Sequence, residues 1–124
     1  MKIYRCPICG NITLMLKDSG VTPHCCGRPM EHLVANTTDA AMEKHVPSVS
    51  VEGECVKVTI GSVFHPMTEE HHISFVVLVT SKGYKVNYLD HLGEPKTCFH
   101  LCKHERPIEV YEYCNLHGLW KVVL

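Results

Sequence analysis

The chain has 124 residues, enough for one ordinary domain or a small domain with an appendage. Its 12 Lys and Arg against 13 Asp and Glu leave a formal net charge of -1, which argues against a nucleic-acid-binding protein, whose footprint is a basic excess. No apolar run approaches the ~18 residues of a membrane span, and the stretch Met1 to Cys6 has neither the apolar region nor the cleavage site of a signal peptide. The outliers are eight cysteines and ten histidines. In a reducing cytoplasm, clustered Cys and His point to metal binding rather than to disulfides.

Residues 1–36 read as a unit of their own. Cys6-Pro7-Ile8-Cys9-Gly10 is a Cys-x-x-Cys knuckle closed by a glycine that can take the positive φ such a turn needs. Cys25 and Cys26 follow as an adjacent pair. Four thiolates form a closed tetrahedral set suited to zinc or a single iron. So short a segment buries too little apolar surface to fold unaided, so a metal staple gives it a reason to exist. The rival readings are a redox-active Cys6/Cys9 dithiol and plain structural thiols. Neighbouring ligands on one metal distort a tetrahedron, which favours a specialised site over a generic zinc ribbon. Val34 to Thr38 turns small and polar, as a linker does.

Beyond it the apolar period becomes two. Val49 and Val51, then Val56, Val58 and Ile60, alternate with polar neighbours as half-buried strands do. Ser62 to Met67 holds His65 against Pro66. His71 and His72 lead into Ile73 to Val79, a β-branched stretch that reads as a central strand. Tyr84, Val86 and Tyr88 alternate again, and Asp90 to Pro95 is a loop. Ile108, Val110 and Glu112 run as a strand into Cys114-Asn115-Leu116-His117-Gly118, and Trp120 to Leu124 forms a last short strand. No segment carries a helix period, and short strands separated by turns imply an antiparallel sandwich.

The Cys114-x-x-His117 spacing brings a thiolate and an imidazole to one side of a turn, but two ligands need others to complete a site. Glu43 and Lys44, directly before His45, read by themselves as a solvated charge pair. Cys55 reads as an ordinary strand residue, and Cys98 and Cys102 as free loop thiols, although His100 and His104 beside them give that stretch groups able to bind something.

Taken together and in order, Cys6-x-x-Cys9, Cys25-Cys26, Glu43-Lys44-His45, His65-Pro66-Met67, His71 and Cys114-Asn115-Leu116-His117-Gly118 closely resemble desulfoferrodoxin, the two-iron class of superoxide reductase. The resemblance covers nearly the whole chain. It implies an all-β fold, a small desulforedoxin-like domain (1–36) followed by an immunoglobulin-like β-sandwich (37–124), usually as a homodimer. It implies a first iron on Cys6, Cys9, Cys25 and Cys26, and a second on His45, His65, His71 and His117 with Cys114 as fifth ligand. Glu43 and Lys44 then lie beside an open coordination position, Lys44 to attract the anion and organise a proton-donating water, Glu43 to cap the ferric state. His72 is the alternative to His71. Neighbours on a strand point to opposite faces, and the family spacing selects His71. His24, His32, His91, His100 and His104 have no counterpart among the ligands and read as surface residues.

The implied activity is one-electron reduction of superoxide to hydrogen peroxide, without dioxygen production, in the cytoplasm. An external donor such as a rubredoxin would return the electrons. The competing reading is a non-catalytic iron protein for electron transfer or redox sensing. An open coordination position favours the enzyme, since electron transfer needs none.

Overall fold

The alternating apolar pattern dominates the sequence, and the chain answers it with strands. The computed structural model describes Met1–Leu124, is nearly all β, and divides into two compact units, Met1–Val34 and Ala35–Leu124.

In the first unit, β1 (Lys2–Arg5) lies between β2 (Ile12–Met15) and the later β5 (Glu31–Leu33) in an antiparallel sheet. Between them, β3 (His24–Cys25) and β4 (Arg28–Pro29) make a minimal hairpin. Tyr4, Cys6 and Met30 are buried together, with Met15 and Cys25 packed against them. So small an apolar cluster offsets little chain entropy, which leaves the unit dependent on whatever joins its cysteines.

The second unit starts with a single helical turn, α1 (Met42–His45), where no helix was expected. The strands follow as β6 (Pro47–Glu52), β7 (Cys55–Ile60), β8 (Ile73–Thr80), β9 (Gly83–Tyr88), β10 (Lys96–His100), β11 (Pro107–Cys114) and β12 (Gly118–Val123). They form two antiparallel sheets, β10-β7-β6 and β12-β11-β8-β9. Val56, Val58 and Ile60 of β7 and Phe99 of β10 face Ile73, Val76 and Leu78 of β8 and Val110 and Cys114 of β11 across one core, a sandwich as expected.

Two sequence readings are corrected. Cys98 sits on strand β10 rather than in a loop, and its sulfur is bonded to that of Cys55 on the adjacent β7. The period-two signal of β10 was hidden because only Phe99 of its five residues is buried.

Candidate metal centres

In the first unit, the hydrogen bonds from Gly10 N–H to the Cys6 carbonyl (3.1 Å) and from Cys6 N–H to Asn11 (2.8 Å) close the Cys-x-x-Cys knuckle. The adjacent cysteines are explained by their hairpin. Cys25 pairs with Arg28, so Cys26 and Gly27 are the two turn residues, with φ of 53° and 72°. Both positive values mark a type I′ turn, which matches strand twist but is unfavourable for a residue with a Cβ. Cys26 sits there nonetheless, and its sulfur lies 4.0 Å from that of Cys25. The four sulfurs of Cys6, Cys9, Cys25 and Cys26 all lie within 4.8 Å of one another.

Their protons are shared unequally. Backbone N–H groups of Cys9 and Ile8 aimed at Cys6 bring its thiol down to about 6. Hydrogen bonding with the Cys9 and Cys25 sulfurs pushes Cys26 up to about 12. Without a cation, then, the cluster stabilises one thiolate at the expense of the rest. A metal ion would replace those protons and let every sulfur ionise, so the donor set fits a thiolate-bound metal.

The second unit builds its centre from four separate places. His45 ends α1, His65 lies in the loop after β7, His71 precedes β8, and Cys114 and His117 flank the turn between β11 and β12. The donor atoms of these five residues lie within 4.8 Å of one another. Ring centroids stand 4.6 Å apart for His45–His65, 4.5 Å for His65–His71, 4.9 Å for His71–His117 and 4.9 Å for His117–His45. The His45–His71 distance is 6.4 Å, close to the diagonal of a square with such sides. The four imidazoles therefore form a near-square ring.

Local structure places each of them. Gly61 turns the chain after β7 at φ +80°, and a Cβ there would meet the carbonyls of Val63 at 2.4 Å, Lys44 at 2.7 Å and Glu43 at 2.9 Å. The Glu43 carbonyl accepts from Ser62 N–H at 2.8 Å, tying α1 to the loop that carries His65. His65 Nδ1 donates to the Pro66 carbonyl at 2.7 Å, which sets the tautomer and leaves Nε2 free to ligate. His71 and His72 precede the strand rather than lying on it, so hydrogen bonds, not strand alternation, separate them. His72 is held by Asn115, Thr68 and Glu69, while His71 joins the cluster. Alternation after Val110 and Glu112 carries Cys114 into the core, and a bulge at Ser74 of β8 brings Ile73 opposite it on the same side. Trp120 lies flat on His45, with centroids 4.9 Å apart and 13° between the planes.

The electrostatics suit a metal. His65 Nε2 and His71 Nε2 are buried without hydrogen-bond partners, a state natural proteins avoid unless something else completes it. Burial, helped by the neighbouring imidazoles, lowers His45 to about 4. Burial likewise lowers His65 to about 4, and His71 also falls. All three are thus neutral at pH 7, as imidazoles that bind a metal must be. Burial raises the Cys114 thiol, opposed by the backbone N–H groups of His117 and Leu116 aimed at its sulfur. The donor set fits a ferrous ion with imidazoles around it and one thiolate. Lys44 is exposed, and its charge contributes to the lowering at both His45 and His71.

Sequence reasoning missed Glu112. Its carboxyl is fully buried, lacks any hydrogen-bond partner, and lies 3.5 Å from His45 Nδ1. Burial raises it well above the usual carboxylate range. Strand alternation held the signal, because Val110, Glu112 and Cys114 share one face. Among the histidines without an expected role, His24 bonds the Thr22 carbonyl and His91 lies beside Asp90.

Comparison with known proteins follows the same division of the chain. The family model described as Desulfoferrodoxin matches residues 37–123, and that described as the desulfoferrodoxin N-terminal domain matches residues 1–33. The chain is similar to a desulfoferrodoxin of Syntrophotalea carbinolica, 43% identical over 121 residues, covering 97% of this chain and 94% of that protein. A superoxide reductase of Thermococcus kodakarensis is 33% identical over 96 residues, covering 64% of this chain and 84% of its own length. Among solved structures, the superoxide reductase of Treponema pallidum superimposes with a TM-score of 0.82 at 38% identity, covering 97% of this chain and 98% of that one.

Proposed function

The chain belongs to the desulfoferrodoxin family, and on that premise we propose that it is a superoxide reductase whose reaction takes place at the ring of four imidazoles. The observation that carries this reading is the ring itself, with buried nitrogens lacking partners and one buried thiol beside it. The protein uses two mononuclear irons. Cys6, Cys9, Cys25 and Cys26 would hold the first; His45, His65, His71, His117 and Cys114 would hold the second. When bound there, ferrous iron supplies one electron to superoxide, which takes two protons to become hydrogen peroxide.

The chain's own residues do the rest. Lys44 presents a positive charge that the ring already feels, which attracts a monoanion to a molecule of net charge -1. Its ammonium can also order a water that delivers protons. The Cys114 sulfur, at which the backbone N–H groups of His117 and Leu116 are aimed, would supply electron density to a bound ferrous ion. The Pro66 carbonyl keeps the His65 proton on Nδ1, so that Nε2 stays a ligand. Glu43, on the same helical turn as Lys44 and His45, carries a carboxylate that would cap the ferric state once peroxide has left.

The finer assignments are 1–36 as the small iron domain and 37–124 as the reductase domain, supported by the break between Val34 and Ala35. An external donor such as a rubredoxin would return electrons. A homodimer is supported by Tyr84, Val86 and Tyr88, exposed along edge strand β9. A cytoplasmic setting suits ligand thiols that must stay reduced.

Stoichiometry decides the function. Pulse-generated superoxide, consumed by the reduced protein, should yield one peroxide each and no dioxygen. A half yield with dioxygen would replace reduction by dismutation. Cys9→Ser should abolish the thiolate absorption of the first iron and spare the second, and joint loss of both would refute two independent sites.

A further inference from the structure

Cys55 and Cys98 take no part in either metal cluster, and they meet on the outer face of the β10-β7-β6 sheet. β7 sends Val56, Val58 and Ile60 into the core, and β10 sends Phe99. Alternation therefore puts Cys55 and Cys98 on the opposite face, Cys55 half-buried and Cys98 exposed. In the register Cys98 opposes Lys57 and Cys55 opposes His100, so the cysteines are diagonal neighbours. Their Cα atoms are 6.6 Å apart and their sulfurs are bonded, although 43 residues separate them in the chain.

We propose that Cys55 and Cys98 form a second redox site, a dithiol that hydrogen peroxide oxidises to this cross-strand disulfide, with Cys98 reacting first and Cys55 resolving. Two observations set the order of events. Cys98 is the exposed member, and the accessible thiol is the one that peroxide reaches first. Cys55 is half-buried and already within reach, the arrangement of a resolving cysteine.

The chemistry balances. The Cys98 thiolate attacks one oxygen of peroxide, the O–O bond breaks, and hydroxide leaves to be protonated to water. The resulting sulfenic acid is attacked by the Cys55 thiolate, the S–O bond breaks, and a second water departs as the S–S bond forms. Two sulfurs give one electron each, and peroxide becomes two waters. In a reducing compartment such a bond is transient, because cellular thiols reduce it back to the dithiol and are themselves oxidised, which is the usual meaning of a cytosolic disulfide. The proposal rests on the reductase reading only for the source of its peroxide, which that activity would release nearby.

The test uses the full-length, iron-loaded protein, reduced with dithiothreitol and desalted without oxygen. One portion receives hydrogen peroxide and another receives generated superoxide; both are then alkylated, digested and read by mass spectrometry. Stoichiometric peroxide should join the Cys55 and Cys98 peptides and remove both from alkylation, and Cys102→Ser should behave identically. Cys98→Ser should abolish the link, and Cys55→Ser should leave Cys98 as a sulfenic acid trapped by a cyclic 1,3-diketone. Continued alkylation of both cysteines after peroxide, or a Cys98–Cys102 link, would overturn the proposal. A Cys55→Ser protein that traps nothing would overturn the assigned order. Linking by peroxide but not by superoxide would uphold this site and count against the reductase reading.

Discussion

Glu112 offers the sharpest test, because two of its effects run in opposite directions. Its side chain is fully buried, neither oxygen has a partner, and one lies 3.5 Å from His45 Nδ1. In the protein without iron this is an unpaid cost, since burying an unpartnered polar group loses about 1–3 kcal/mol. Were the other ring nitrogen of His45 to hold iron, the same carboxyl would accept from Nδ1–H, orient the ring and raise its basicity. Outer partners of this kind change metal affinity by roughly 10–100-fold, or about 1.4–2.8 kcal/mol. Glu112→Leu should therefore stabilise the metal-free protein, by roughly 4–8 °C in Tm for each kcal/mol gained, while iron leaves the ring faster. Glu112→Gln keeps the shape and a neutral acceptor, and should fall between the two. Scanning calorimetry of the metal-free proteins, with the rate of iron capture by a ferrous chelator from the loaded ones, reads both effects. Unchanged iron retention in both variants would refute the role in holding His45. A metal-free Glu112→Leu protein that melts lower than the parent would show that the carboxyl has a hydration partner and costs nothing.

Three further outcomes follow from particular residues. Lys44→Ile should slow the second-order reaction with superoxide by roughly 10-fold at low ionic strength and flatten its salt dependence, with the iron spectra unchanged; stopped-flow or pulse radiolysis in a salt series reads it, and an unaltered salt slope returns Lys44 to a solvated surface role. Gly61→Ala strains a φ of +80° and drives a Cβ to 2.4 Å from the Val63 carbonyl, so it should cost at least ~1–3 kcal/mol by urea denaturation and lower iron occupancy at the ring, because α1 and the His65 loop must part. Glu105 accepts from Thr80 and from the Cys102 N–H and faces Lys85, which together lower its carboxyl from 4.5 to about 2. Above about pH 4.5 its contribution to stability is complete, and it is lost as pH falls toward 2, since the unfolded carboxyl binds its proton first. Glu105→Gln should accordingly lower Tm at pH 7 and give a shallower acid limb in that window, and parallel acid limbs would contradict the assignment.

What could be read along the chain was whatever depends on near neighbours. The Cys6-x-x-Cys9 knuckle, the adjacent Cys25 and Cys26, the Cys114-x-x-His117 turn and the alternating strands are all set by spacings of a few residues, and each lies where its spacing implies. His71 against His72 was a harder choice. The expected reason, strand alternation, does not operate, because both precede β8 and it is the bonds from His72 to Asn115, Thr68 and Glu69 that part them.

The near-square ring, the Glu112 carboxyl behind His45 and the Cys55–Cys98 bond were decided only by tertiary structure. Each depends on which strands pair and in what register, and a slip of one residue turns a side chain to the other face. The bulge at Ser74 of β8 turns Ile73 into the core opposite Cys114, and the pairing of β10 with β7 brings together sulfurs 43 residues apart. Local spacing names the candidate donors of a knuckle or a turn. Assembling a site from α1, two loops and the end of β11 needs the sandwich to form first, because only the packing of its sheets brings those segments to one point.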